Sequence, residues 1–178
     1  MLDVVLYRPE NPHNTGAVVR TCAVLGVRLH LIGPYGFGAP SRSATRDIAR
    51  AAMSYLDVVD LIEHASWDEY RAHVGQVRRF AFWDEGETRY DEVPYAPGDH
   101  LLFGRESDGL PADVLSTHPT LRIPMPGTAR GPRPDHRAHS LNLSVSVGIA
   151  VAHARHVVER PVAPTAIAAT APAVSRTS

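Results

Sequence analysis

Short apolar runs alternate along this chain with longer stretches whose apolar residues recur at helical spacing. Residues 3–7, 28–32, 79–83, 100–103 and 121–125 are compact runs rich in valine, leucine, isoleucine and phenylalanine, and read as buried strands; 58–62 reads as a weaker one. Between them, 17–25, 43–54, 66–74, 111–116 and 141–156 read as helices. The punctuation agrees. Asn14-Thr15-Gly16 offers capping chemistry ahead of the first helix and Gly26 ends it, Ser66 and Glu69 form a capping-box pair, and Pro111 sits in a first turn. Residues 84–99 are polar and turn-rich, 104–110 form a loop, and 126–139 are a proline, glycine, arginine and histidine loop. Strands alternating with helices predict an α/β fold, a mostly parallel sheet with helices on both faces in one domain over 1–158. The alanine, proline, threonine and serine tail over 159–178 is expected to be disordered. Ligands of such sheets sit beyond the carboxyl ends of the strands, which directs attention to the loops after Phe82, Phe103 and Met125.

Composition narrows the chemistry. The formal net charge is −1, so any nucleic-acid site must be a local patch. Every basic residue is arginine, a side chain suited to bidentate phosphate contacts. Arg42, Arg46 and Arg50 recur every fourth residue and form one stripe on a helix, either a solvated face or a phosphate track. Cys22 is the sole cysteine, which excludes an internal disulfide and a cysteine metal cluster and suits a reducing cytoplasm. No apolar run approaches the roughly 20 residues that span a bilayer, and the first residues do not read as a signal peptide. Asp135, His136 and His139 form too short a pair in too arginine-rich a loop to predict a metal site, so no metal is expected.

Three segments carry a resemblance. The first is Leu6-Tyr7-Arg8-Pro9-Glu10-Asn11-Pro12-His13-Asn14-Thr15-Gly16, followed by Arg20; the second is Leu102-Phe103-Gly104-Arg105-Glu106-Ser107-Asp108-Gly109-Leu110-Pro111. The third is Arg122-Ile123-Pro124-Met125, completed by Ser140-Leu141-Asn142-Leu143-Ser144. In order and separation they resemble the RNA 2′-O-ribose methyltransferases of the SPOUT superfamily. The short single domain is most similar to the tRNA (cytidine/uridine-34-2′-O)-methyltransferases.

The resemblance implies a deep trefoil knot near the C-terminus, a homodimer, and S-adenosylmethionine held by the residues matching Phe82, Gly104, Ile123, Ser140 and Leu141. It places Glu106 beside that pocket, and Asn14, Arg20 and Asn142 near the ribose of a tRNA. Taken alone, each residue has a plainer reading. Gly104 can be a strand-ending turn, Ile123 and Phe82 core residues, Asn14 and Ser140 helix caps, Arg20 a solvated cation and Glu106 a loop carboxylate in water. Two features depart from the family: the 126–139 loop is long, and Asp108 stands where an arginine is expected.

Other classes fit less well. Ser107 follows a strand, but Gly104 is one residue too early for a nucleophile elbow. Gly33, Gly36 and Gly38 are misspaced for a dinucleotide fingerprint. A non-catalytic RNA-binding protein on the same fold, or a methyltransferase acting on another tRNA or ribosomal RNA ribose, are the alternatives.

Overall fold

The computed structural model describes residues 1–37, 48, 50–126 and 140–160. Seven strands form one sheet in the order β3-β2-β1-β6-β4-β7-β5, with every strand pair parallel. They are β1 (Asp3–Tyr7), β2 (Arg28–Ile32), β3 (Leu61–His64), β4 (Arg79–Phe82), β5 (Thr88–Arg89), β6 (His100–Phe103) and β7 (Thr120–Arg122). The helices are α1 (Pro12–Leu25), α2 (Trp67–Val74), α3 (Ala112–Thr117) and α4 (Leu143–Glu159). The α/β fold with a parallel sheet and helices on both faces is the one the alternation predicts.

Side chains alternate across each strand and divide the core in two. Val4, Leu6, Leu29, Leu31, Leu101 and Phe103 face α1 and α4 and pack with Val18, Val19, Cys22, Val147 and Val151. Val5, Ile32, Ala81 and Leu102 face the other way and pack with Tyr70 of α2 and Val114 of α3. Burial pushes the Cys22 thiol up to about 12, so it is an inert core group at neutral pH.

Several boundaries differ from the sequence reading. The weak strand expected at 58–62 lies at Leu61–His64, because a 3-10 turn over Met53–Asp57 takes up the preceding residues. Of the helix expected at 43–54, Ile48 and 50–52 are helical and 53–54 belong to the 3-10 turn; the other residues before Arg50 are outside the described residues. The strand expected at 121–125 is Thr120–Arg122, which leaves Ile123, Pro124 and Met125 as exit loop. The turn-rich segment 84–99 contains β5, which extends the sheet beyond β7. The tail at 161–178 and the loop at 127–139 are outside the described residues.

The caps also moved. Asn11, not Asn14, caps α1: its Oδ1 accepts from the backbone N–H groups of His13 at 2.9 Å and Asn14 at 3.4 Å. Asn142, not Ser140, caps α4, accepting from Ser144 N at 2.8 Å. Ser66 caps α2 as expected, but Glu69 reaches back to Ala65 N rather than closing the box on the cap residue.

α1 lies so close to the 50–52 segment that a Cβ on Gly16 would stand 2.4 Å from Ala51 Cβ and 2.8 Å from two backbone atoms. Gly16→Ala gains about 1 kcal/mol of helix propensity, but forcing the backbone apart costs about 1–3 kcal/mol. We expect a lower melting temperature by calorimetry. Gly148→Ala, where a Cβ meets nothing within 4 Å, is expected to raise it.

Candidate active site at the carboxyl edge of the sheet

β1 and β6 are adjacent, so the loops that leave their carboxyl ends meet. Each loop supplies a carboxylate to the other. Glu106 Oε2 accepts from Glu10 N at 2.8 Å. Glu10 Oε1 accepts from Arg105 Nε at 3.0 Å, Arg105 Nη2 at 2.5 Å and Ser107 Oγ at 3.0 Å, while Glu10 Oε2 accepts from Ser107 N at 2.9 Å. The Arg105 guanidinium and the Ser107 donors hold the Glu10 carboxyl below its usual range. The second loop also closes on itself: Arg105 and Gly109 exchange two backbone hydrogen bonds of 3.0 Å each. Gly104 is required by that closure, since a Cβ there would lie 2.0 Å from Gly109 C and 2.3 Å from Leu110 N.

The third segment joins through side-chain amides. Asn14 Nδ2 donates to Glu106 Oε1 at 3.0 Å, and Asn142 Nδ2 donates to Asn14 Oδ1 at 2.9 Å. Asn142 Oδ1 then accepts from Ser144 N and Oγ. Asn14, Glu106 and Asn142, predicted separately from three segments, therefore form one hydrogen-bonded chain. Asn14 can serve it because Asn11 took over the capping.

The other predicted residues are arranged differently. Phe82 is buried, its ring stacked on Phe103 at 4.5 Å, so its side chain belongs to the core. Ile123 packs against the core where it leaves β7 and borders an open cleft of about 560 Å³ shared with Asp84, Glu85, Arg89, Arg122 and Met125. Ser140 and Leu141 are exposed, and so is Trp83 at 40%. Arg20 stands apart from the amide–carboxylate chain, exposed on α1 with its guanidinium over the Tyr55 ring at 5.2 Å. Arg50 is exposed; Arg42 and Arg46 are outside the described residues, as are Asp135, His136 and His139.

Sequence reasoning missed Glu10, Arg105 and Arg8. Arg8, just after β1, has a φ of 49°, an uncommon conformation for a residue other than glycine, and its Nε is buried without a hydrogen-bond partner among the described residues. A carboxylate and an arginine in separate loops give no local signal of pairing. Ser107 serves Glu10 and Asp108 as a donor, which removes the hydrolase reading.

The profile of the SpoU rRNA methylase family matches residues 1–152. The chain belongs to the SpoU methylase family. Among relatives, the tRNA (cytidine(34)-2′-O)-methyltransferase of Burkholderia ambifaria is 41% identical over 156 residues, covering 85% of this chain and 92% of that protein. The enzyme of the same name from Escherichia coli is 37% identical over 150 residues, covering 83% and 88%. A solved structure concerned with 2-OH methylation of C/U34 on tRNA is 44% identical with a TM-score of 0.76, covering 88% of this chain and 95% of that one. An AdoMet-bound rRNA methyltransferase from Sinorhizobium meliloti is 26% identical with a TM-score of 0.69, covering 87% of this SpoU-family chain and 56% of the longer protein.

The Glu10 side chain braces the two SpoU-family loops as a carboxylate. Its folded pKa is lowered, so this bracing is complete above the ordinary value of 4.5 and is lost as pH falls through the folded value. Glu10→Gln is expected to melt below the wild type at pH 7, with the gap closing as pH drops below 4.5. A gap constant with pH, followed by circular dichroism, would take the charge out of the account.

Proposed function

We propose that this chain is an S-adenosylmethionine-dependent methyltransferase that methylates the ribose 2′-hydroxyl of tRNA at wobble position 34. The observation that carries this is the Glu106–Asn14–Asn142 chain, which joins three loops at the carboxyl edge of the sheet in a protein 41% identical to a tRNA (cytidine(34)-2′-O)-methyltransferase.

The residues present fit the cofactor. At this edge lie the backbone of the Ile123-Pro124-Met125 exit, the open cleft beside it, and the exposed apolar surfaces of Trp83 and Leu141. A ligand with an aromatic base and a short polar chain matches apolar platforms beside an exposed strand exit. Ile123, Ser140 and Leu141 would hold it, with Phe82 and Gly104 contributing backbone only. When bound, S-adenosylmethionine supplies a methyl group activated by a sulfonium.

The protein's task is to align the hydroxyl in line with that methyl and to exclude water. Asn14 and Asn142 present amides of fixed orientation to the ribose. Arg20 binds the flanking phosphate and lowers the hydroxyl pKa through its charge. It does not act as a literal base, because removing its proton at neutral pH costs roughly 7 kcal/mol or more. The transfer step itself requires no metal. The helices α1 and α4 both begin at this corner, and their N-termini add a positive field for a polyanion. Arg42, Arg46 and Arg50 extend the phosphate track.

The finer features belong to the same reading. The chain is a cytoplasmic homodimer with its C-terminal segment in a trefoil knot and a domain over 1–158. Outward valines at Val24, Val58 and Val145 support the dimer, and the return of Asn142 to Asn14 across the carboxyl edge supports the knot. No described helix is long and apolar enough to cross a membrane.

The test is incubation with S-adenosylmethionine and unmodified tRNA, followed by mass spectrometry of the nucleoside at position 34. One methyl is expected there, and none on tRNA carrying 2′-deoxyribose at that position. A folded protein that binds tRNA without transferring methyl would establish the non-catalytic alternative, and a methyl at another ribose would establish the other. Arg20→Ala is expected to lower kcat by about 10²–10³-fold, as loss of a charge-stabilising donor does, with cofactor affinity by calorimetry nearly unchanged. Equal loss of both would make Arg20 a structural residue.

A further inference from the structure

The opposite side of the sheet carries a group of ionisable side chains that the methyl-transfer site does not use. Asp3 opens β1, His100 opens β6, and His30 is the middle residue of β2. All three are buried, at 6%, 4% and 1% exposure. They point into the layer beneath α2, beside Tyr70. They come from positions about 27 and 97 residues apart, and the parallel register of β1 with β2 and β6 is what brings them together.

Three heteroatoms converge. Asp3 Oδ2 lies 3.2 Å from His30 Nε2 and 3.5 Å from His100 Nε2, and all three atoms are within 4.8 Å of one another. A carboxylate holding two N–H donors in a buried site draws them to about 2.7–2.9 Å. The His30 contact is at the long limit of a hydrogen bond, and the His100 contact is longer still. They bracket about 3.3 Å, the edge of a tetrahedron whose oxygen and nitrogen ligands stand about 2.0–2.1 Å from a shared cation.

The outer nitrogens are held more tightly. His30 Nδ1 is 2.9 Å from His64 Nε2, and His100 Nδ1 is 2.8 Å from the Tyr70 hydroxyl. Without a cation, His30 Nε2 donates to Asp3 Oδ2; with a cation bound and the protons moved to Nδ1, His30 donates to His64, His100 donates to Tyr70, and both Nε2 lone pairs face the ion. Outer partners of this kind fix the tautomer and ring orientation of metal-ligating histidines.

We propose that Asp3, His30 and His100 form a buried binding site for a divalent transition cation of the zinc type. Two imidazoles and one carboxylate suit zinc or cobalt, whereas calcium takes 6–8 oxygen ligands and magnesium a near-octahedral oxygen set. Three protein ligands leave the fourth position to a solvent oxygen. The neighbouring charge tempers the affinity: Arg28 Nη1 is 3.7 Å from the same Asp3 oxygen, although its Nε is committed to Asp60 at 2.7 Å. The cation would clamp three adjacent strands, β2, β1 and β6, at the centre of the sheet. Its role is structural, remote from the Glu106–Asn14–Asn142 chain and independent of the methyl-transfer reading.

The experiment uses the full-length, untagged, chelator-treated protein, titrated with zinc chloride by calorimetry and with cobalt chloride by visible absorption. One equivalent per chain is expected, with an intense tetrahedral cobalt d–d band and a melting temperature several degrees higher at saturating zinc. Asp3→Asn and His100→Gln are each expected to weaken binding at least about tenfold, as loss of one ligand does, and to abolish the band. No stoichiometric binding by the folded wild type overturns the proposal. So does binding, with its band intact, in either folded variant, which would place the metal on other histidines. Should both variants fail to fold, the wild-type cobalt spectrum decides: a weak octahedral band overturns the site and an intense tetrahedral one supports it.

Discussion

An ionised carboxylate only accepts hydrogen bonds, and the candidate site is organised around that restriction at Glu106. Its two oxygens take the Glu10 N–H and the Asn14 amide nitrogen. Asn14 must therefore turn its carbonyl oxygen away, and that oxygen accepts from Asn142 Nδ2. Asn142 is left with its own oxygen, which caps α4 at Ser144. One charge thus sets the direction of each amide in the chain and fixes where two helices begin. Glu10 repeats the device in reverse: its carboxylate gathers Arg105 and Ser107 from the loop that carries Glu106. The two loops are cross-braced, so neither moves without breaking hydrogen bonds to a charged group.

The sheet supplies the frame for that arrangement. β1 and β6 run side by side in register from Asp3 with His100 to Leu6 with Phe103. Their carboxyl ends release the two braced loops at the same height, while their amino ends place Asp3 beside His100. The same pairing builds both clusters, one at each side of the molecule, and a slip of one residue would invert the faces of both strands and dismantle them together.

Much of this was legible from the order of residues. Six of the seven strands lie within three residues of the apolar runs that predict them, because a strand buried on both faces must be apolar throughout. β5 escaped because two residues, Thr88 and Arg89, carry no periodicity; only their pairing with β7 makes them a strand. The caps were misassigned for a related reason. Asn11 and Asn14 have the same capping propensity, and the choice between them is made by Glu106, 92 residues away from Asn14. Of the candidate site, Asn14, Glu106 and Asn142 were named in advance and do meet. Glu10 and Arg105 were not singled out, since their pairing depends on which strands become neighbours. Arg20 was named, yet it meets none of the three directly.

The exchange of an expected arginine for Asp108 can now be weighed against its surroundings. In the sequence it reads as a charge reversal at the edge of the pocket. In the fold, Arg105 occupies the space between the acids: its Nε is 3.2 Å from Asp108 Oδ1 and its Nη2 is 2.5 Å from Glu10 Oε1. A cation is therefore retained at this corner, supplied from three residues earlier. It is consumed by internal pairing, however, and the corner as a whole holds Glu10, Glu106 and Asp108 against one arginine. Two unit charges about 4 Å apart in water interact by only about 1 kcal/mol, and by about 4 kcal/mol near a protein surface of lower polarity. The 104–110 loop thus offers a phosphate group no unpaired cation, and the favourable approach is from the side of the helix N-termini. Among the described residues, Arg8, whose Nε has no described partner, and Arg20, which lies over Tyr55, are in no ion pair with an acid. Arg8 follows β1 and Arg20 lies on α1, the two elements that the first braced loop joins. The charge pattern therefore favours α1 over the braced loop at 104–110 as the path of the proposed polyanion, because that loop carries carboxylates and a cation already paired with them.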